Sequence, residues 1–160
     1  MTDFRGLIRT LTDAGVQFII VGGAAATAHG ATRLTQDLDV VYERSAENVG
    51  RLVDALDSHA PYLRGAPAGL PFAFDRATVQ AGLNFTLTTT LGDLDLLGEI
   101  TGGGDYGALR AHTVAVELFG AECLCLNLDK LIHVKRAAGR PKDFEALAEL
   151  IAIREQRDDD

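Results

Sequence analysis

Phe4, Leu7, Ile8 and Leu11 recur at the three- and four-residue spacing of an amphipathic helix. The spacing predicts a first helix that Thr2 caps, that runs to about Ala14 and that Gly15 stops. "VQFIIV" (16–21) then breaks the period. It is a continuous apolar run rich in β-branched residues, which is how a buried strand reads. Gly22-Gly23 ends it, and "AAATAH" is expected as a short helix closed by Gly30, with His29 against its last carbonyls. "DLDVVY" (37–42) reads as a second strand. Ser45 caps a further helix carrying Val49, Leu52, Val53 and Leu56.

From Ala60 to Pro71 the pattern stops. "APYLRGAPAGLP" holds three of the four prolines and is expected as a loop, long enough to be functional or mobile. "LNFTLTTT" alternates as a strand and turns near Leu91-Gly92 into a partner, "DLDLLGEI". "TGGGDYG" is a second glycine-rich loop, and "HTVAVELFGAECLCLN" reads as two short strands turning at Phe119-Gly120. Asn127 caps a helix through about Ala138, and Gly139 stops it. Pro141 opens a last helix carrying Phe144, Leu147, Leu150 and Ile151. This order predicts an α/β (α+β) fold, a mixed β-sheet flanked by helices. The 160 residues show no repeat and no linker. They are expected to form a single domain over 1–160, with its core at about 16–126 and a C-terminal helical segment at about 127–157.

Composition narrows the function classes. An apolar fraction of 47% and a charged fraction of 24% are ordinary for a globular protein. No apolar run approaches the ~18 residues of a membrane helix, and "MTDFRGLIRT" has no apolar leader, so a cytoplasmic protein without membrane contact is expected. A net charge of -8 argues against broad gripping of nucleic acid through phosphates, although part of it lies in the terminal "RDDD", expected as a frayed tail. Cys123 and Cys125 are the only cysteines. On one strand face they lack the usual disulfide geometry, and there is no second ligand pair for zinc. They are expected as buried thiols.

The chemistry concentrates in two acidic strands. Asp37 and Asp39 share a face, with Cα atoms roughly 6.6 Å apart, while Leu38, Val40 and Tyr42 face the core. Two like charges on one face repel unless a cation sits between them, and Mg²⁺ prefers carboxylate oxygens. Asp93 and Asp95 repeat the device, although Asp93 also suits a hairpin role. If the strands are neighbours, three or four carboxylates converge, as two-metal phosphoryl or nucleotidyl transfer requires. Gly22-Gly23 lets backbone N–H groups approach a phosphate, and Arg33, just upstream of the aspartates, suits phosphate oxygens.

"GG", thirteen residues and "DLD" together resemble the nucleotidyltransferase motif of the DNA polymerase β-like superfamily. "GGAAATAHGATRLTQDLDV" is particularly similar to the small bacterial members, the minimal nucleotidyltransferases and the relatives of AbiEii toxins. "GDLDLLGEI" and "LDKLIHVKRAAGRPKDFEAL" resemble their third-acid strand and C-terminal Lys/Arg-Asp segment, so the likeness covers roughly 16–150. It implies a nucleotidyltransferase fold with C-terminal helices and Mg²⁺ as cofactor, as one ion or two. Asp37, Asp39 and Asp95 become the metal-binding and catalytic acids, with Asp95 activating the acceptor hydroxyl. Gly22, Gly23, Arg33, Thr35 and Lys135 become nucleotide contacts. The implied partners are an NTP such as ATP and a hydroxyl acceptor that is RNA or tRNA, a protein or a small molecule. A toxin–antitoxin or phage-defence role is among those implied, and a partner subunit or homodimer would complete so short a chain.

Gly23 departs from the serine found in many transferring members and removes a hydroxyl that can hold the γ-phosphate. This keeps open a second reading, a non-catalytic binding or antitoxin-like regulatory protein on the same fold. Lys135, Arg136 and Arg140 are equally readable as a solvated helix face.

Overall fold

The two Asp-Leu-Asp segments become neighbouring strands in the middle of a seven-stranded sheet. The computed structural model describes residues 1–159. The strands are β1 (Phe18–Val21), β2 (Asp37–Tyr42), β3 (Tyr62–Leu63), β4 (Phe85–Thr89), β5 (Gly92–Leu97), β6 (Glu99–Ile100), β7 (Gly104–Asp105), β8 (Thr113–Leu118) and β9 (Ala121–Leu126). The helices are α1 (Phe4–Asp13), α2 (Gly22–Ala28), α3 (Ala46–Leu56), α4 (Arg76–Ala81), α5 (Tyr106–Leu109), α6 (Leu128–Ala138) and α7 (Pro141–Asp158). The sheet runs β3-β4-β5-β2-β1-β9-β8, and β6 and β7 form a separate two-stranded ladder.

The sheet is mixed. β1 is antiparallel to β2 and parallel to β9, and β2 is parallel to β5. The two hairpins, β4–β5 and β8–β9, are antiparallel. Helices pack in two groups, α1 with α3 and α2 with α6 and α7. Period-two burial explains β2 and β5: Leu38, Val40, Leu94 and Leu96 are fully buried. Each such side chain contributes roughly 1.5–3 kcal/mol relative to exposure. They join Leu7, Ile8, Leu11, Ile19, Ile20, Leu52 and Leu56 in one continuous core. No helix among the described residues is long and apolar enough to cross a membrane.

Several expectations need correcting. Asp3, not Thr2, caps α1, accepting from the Gly6 N–H at 2.9 Å. Thr2 instead ties the N-terminus to the sheet: its hydroxyl bonds the Gln36 carbonyl and accepts from the Asp93 N–H. α2 starts at Gly22, so both glycines belong to its first turn. The proline-rich stretch contains β3, and α4 follows it. The second acidic strand, expected through Ile100, ends at Leu97; Glu99–Ile100 form β6 and pair with β7 from the second glycine-rich loop, which also opens α5. Two-residue strands and one-turn helices are too short to show a period. Phe144 is exposed, because the buried Asp143 takes the inward position on the first turn of α7 and the next residue lies about 100° round the helix. α7 continues through Asp158, where a frayed tail was expected, and Asp160 lies outside the described residues.

Cys123 and Cys125 are buried and free, as expected. Burial pushes the Cys125 thiol up to about 12, which makes it a poor nucleophile. His29 closes α2 as its C-cap, and its Nε2 lies 2.7 Å from the Leu126 carbonyl.

Candidate active site

Parallel pairing in register sets Asp37 opposite Asp93 and Asp39 opposite Asp95. Side chains on one face of adjacent strands are close neighbours. One carboxylate oxygen from each of Asp37, Asp39 and Asp95 lies within 4.8 Å of the other two. Asp93 stands beside this trio and is not part of it.

The start of α2 closes one side. Val21 pairs with Asp39, so the chain turns into α2 directly beside that carboxylate. Gly22 has φ +65°, and a Cβ there would overlap the Asp39 side chain. Glycine is required twice at this position, for the left-handed backbone and for the close approach. A Cβ at Gly23 would lie 2.7 Å from the Thr35 hydroxyl oxygen. Thr35 thus fills the space that a side chain at 23 would need, and its hydroxyl donates to the Asp37 carbonyl at 3.1 Å. No side chain caps α2, so its first N–H groups stay open. With only seven residues the helix has a weak dipole, and the positive side of the site comes from side chains.

Those side chains hang on a buried acid. Asp143 accepts from Arg140 Nε at 2.7 Å and from the Arg140 backbone N–H at 3.1 Å, and it lies 3.5 Å from Lys135 Nζ. Burial pushes the Asp143 carboxyl up, but the bonds from Arg140 outweigh it and the net shift is downward. Asp143 therefore fixes Lys135 and Arg140 beside the cluster, and both line the cavities there. Arg33 lies at the rim, paired with Glu145 of α7 at 2.5 Å, and the neighbouring Thr32 hydroxyl donates to Glu149. Arg136 lines neither cavity at the cluster.

Two cavities meet at Asp39, Lys135 and Arg140. The larger, about 780 Å³, runs past Gly23, Thr35 and the three acids to Arg33 and Lys142. The smaller, about 380 Å³, has apolar walls from Leu97, Ile100, Leu131 and Val134.

The electrostatics are lopsided. Burial, then the charges of Asp37 and Asp95, push Asp39 up to about 8. Its Oδ1 is buried without a hydrogen-bond partner. Burial also raises Asp95, and Arg64 pulls it back. Arg64 was not singled out in the sequence. It follows β3 in the proline-rich stretch, and its Nη2 reaches Asp95 Oδ1 at 2.7 Å and the Leu87 carbonyl at 2.8 Å. Its Nε and Nη1 lie 3.4 Å from Asp93 and 3.9 Å from Asp37. The sequence signal available was one arginine among glycines and prolines, with nothing to say that β3 pairs beside β4.

At the level of sequence no family model matches, and no curated protein matches either. Solved structures do. The lincomycin-bound lincosamide antibiotic adenylyltransferase LnuA superposes with a TM-score of 0.62 at 13% identity, covering 95% of this chain and 98% of that one. ANT(2")-Ia in complex with adenylyl-2"-tobramycin gives 0.55 at 15% identity, over 92% and 84% of the two chains. An antigenic nucleotidyltransferase-like protein from Paracoccidioides brasiliensis gives 0.53 at 16%, over 93% and 72%. The mixed sheet, the acids carried on its two central strands and these superpositions together establish that the chain has the nucleotidyltransferase fold.

Proposed function

We propose that this protein transfers a nucleoside monophosphate from an NTP to a hydroxyl group of a small molecule. One observation carries the reading. The Asp37, Asp39 and Asp95 carboxylates converge within 4.8 Å, in a cleft that also bears Lys135, Arg140 and Lys142. Acids that call for a cation, beside cations that call for an anion, suit a metal-bound triphosphate.

The donor set fits Mg²⁺. Its atoms are hard carboxylate oxygens, and Asp39 Oδ1 is buried with no partner of its own. Asp37, Asp39 and Asp95 would hold the metal, as one ion or two. When bound, Mg²⁺ neutralises charge on the transferring phosphoryl group and eases deprotonation of the acceptor hydroxyl. The remaining work falls to the chain. The open N–H groups at Gly22 and Gly23, with Lys135 and Arg140, orient the triphosphate. Asp95 accepts the acceptor's proton. The acceptor oxygen bonds to the α-phosphorus while the bond to the β-bridging oxygen breaks, and pyrophosphate leaves. Catalysis of this kind is mainly positioning and charge stabilisation.

Gly23 fits the same reading. Thr35 places a hydroxyl where a serine at 23 would project, so the phosphate side of the cleft still has one. The smaller cavity beyond Asp39, with an apolar wall from Leu97, Ile100, Leu131 and Val134 and polar groups from Glu99 and Thr101, suits a ring system bearing polar substituents.

The adenylyl and antibiotic ligands named for two of the similar structures make ATP and a small polyhydroxylated molecule the first pair to test. The likeness to toxin relatives makes RNA and protein the other acceptors. The decisive assay incubates the protein with each labelled NTP, Mg²⁺ and, separately, lincomycin, tobramycin, total RNA and cell lysate. Mg²⁺-dependent label on a small molecule is the expected result. No label on any acceptor, with every NTP and with Mn²⁺ in place of Mg²⁺, would sink the proposal.

A further inference from the structure

We propose that Arg64 is a positioning residue, the built-in counter-charge of the acid cluster, which fixes Asp95 and Asp93 and competes with Mg²⁺ for the carboxylates. The proposal rests on the metal-binding reading above.

Among the described residues, just two buried side-chain polar atoms lack a hydrogen-bond partner: Asp39 Oδ1 and Arg64 Nε. Both lie in this cluster. A buried donor and a buried acceptor, each without a hydrogen bond and both in one cluster, mark a network that is not closed. The guanidinium touches three acids unequally. It bonds Asp95 at 2.7 Å, stands 3.4 Å from Asp93 and 3.9 Å from Asp37, and makes no contact with Asp39. Arg64 thus holds the β5 acids most closely, reaches Asp37 only at 3.9 Å, and leaves Asp39 to another cation.

The backbone explains how this is arranged. The Arg64 N–H bonds the Thr86 carbonyl at 2.9 Å, which anchors its Cα beside β4. Gly65 follows with φ +80°, in open space, and the chain turns away. The side chain therefore reaches back across β4 to β5, and its carbonyl contact is the Leu87 oxygen on β4. The anchor is fixed while the head group sits among its ligands. A cation entering at Asp37, Asp39 and Asp95 meets a positive charge already on two of them. Like charges repel strongly at these distances, and the guanidinium must loosen its hold on Asp37 and Asp95 as the metal binds.

Calorimetric titration of Mg²⁺, without nucleotide, into wild type, Arg64→Gln and Arg64→Lys tests this. Removing the charge is expected to tighten Mg²⁺ binding about tenfold. It is also expected to lower the melting temperature without Mg²⁺, and saturating Mg²⁺ is expected to restore it. Arg64→Lys keeps the charge, and its affinity is expected within about twofold of wild type. In wild type labelled with ¹⁵N-arginine, the Arg64 Nε–H resonance is expected to shift in step with Mg²⁺ occupancy, a measurement that needs no variant to fold. If wild type binds Mg²⁺ but Arg64→Gln binds it no tighter, or if the resonance stays still at saturation, the Arg64 proposal is overturned alone. If wild type binds no Mg²⁺, and Asp39→Asn behaves identically, the metal reading falls and this one falls with it.

Discussion

Asp37-Leu38-Asp39 and Asp93-Leu94-Asp95 are the same tripeptide on neighbouring parallel strands, residue opposite residue. Their leucines are equivalent, both fully buried in the same core. Their second aspartates are not. Asp39 abuts the Gly22 turn, has an oxygen with no partner, and is pushed up to about 8 by burial and by its two acidic neighbours. Asp95 is also raised by burial, but it holds Arg64 at 2.7 Å, and that charge pulls it back. The alternation along a strand decides which face a carboxylate takes. What lies across from that face decides whether the carboxylate is charged, satisfied or waiting for a cation.

The largest test of this contrast pairs Asp39→Asn with Asp95→Asn. Each is expected to reduce label transfer by ~10³-fold or more, since in the proposed function several kcal/mol of charge stabilisation come from a metal these acids hold. Their stabilities should diverge. Without Mg²⁺, Asp39→Asn is expected to melt at or above the wild-type temperature, because the cost of burying or protonating that carboxylate beside two other acids disappears. Asp95→Asn is expected to melt lower, because it strips Arg64 of its shortest partner. Equal melting shifts for the two variants would break the comparison.

Gly22→Ala attacks the Asp39 side alone. A side chain there meets the carboxylate, and the residue keeps a φ of +65°. We expect a loss of roughly 1–3 kcal/mol in denaturant unfolding. A loss within a few tenths of a kcal/mol would show that the close approach at Asp39 is not rigid.

The pH dependence sharpens the same point. A carboxyl raised to about 8 from an ordinary 3.8 binds more protons folded than unfolded between those values. Its contribution without Mg²⁺ is therefore fully present below about pH 4 and is lost as pH rises toward 8. The slope is at most about 1.4 kcal/mol per pH unit. Melting curves from pH 5 to 8 are expected to decline in wild type and to flatten in Asp39→Asn. The same decline in both would assign it to another group.

The smallest effect concerns Thr35, on the β2 side of the cleft. Gly23→Ser alone is expected to slow transfer about tenfold, because the new side chain displaces Thr35, and a tenfold change is only ~1.4 kcal/mol. Gly23→Ser with Thr35→Ala is expected to recover most of that rate. A double variant as slow as the single one would contradict the exchange of hydroxyls.

Much of this architecture was legible in the sequence. Apolar residues at helical spacing or strand period placed α1, β1, α3 and the first acidic strand within a residue or two, and the second acidic strand at its start, although it stops at Leu97 rather than Ile100. Two Asp-x-Asp patterns were enough to put each pair of carboxylates on one face, since period two is a property of the strand itself. The turn at Gly22-Gly23 and the caps Ser45 and Asn127 were equally local. What the sequence by itself determined was therefore what depends on neighbours within a few residues: the type and facing of the elements long enough to show a period.

Tertiary structure decided the rest. Parallel pairing of β2 with β5 across more than fifty residues of chain turned two acidic pairs into one cluster. A two-residue strand carried Arg64 into it from the proline-rich stretch, where no period marks a strand. Asp143, part of the Lys/Arg-Asp segment but given no role of its own by the sequence, is the buried anchor of Lys135 and Arg140. Arg33, adjacent to the aspartates in sequence, went instead to Glu145 at the rim. The physical reason is range: hydrophobic periodicity is set locally, whereas a charge finds its partner across the fold, and burial and pairing then fix its ionisation.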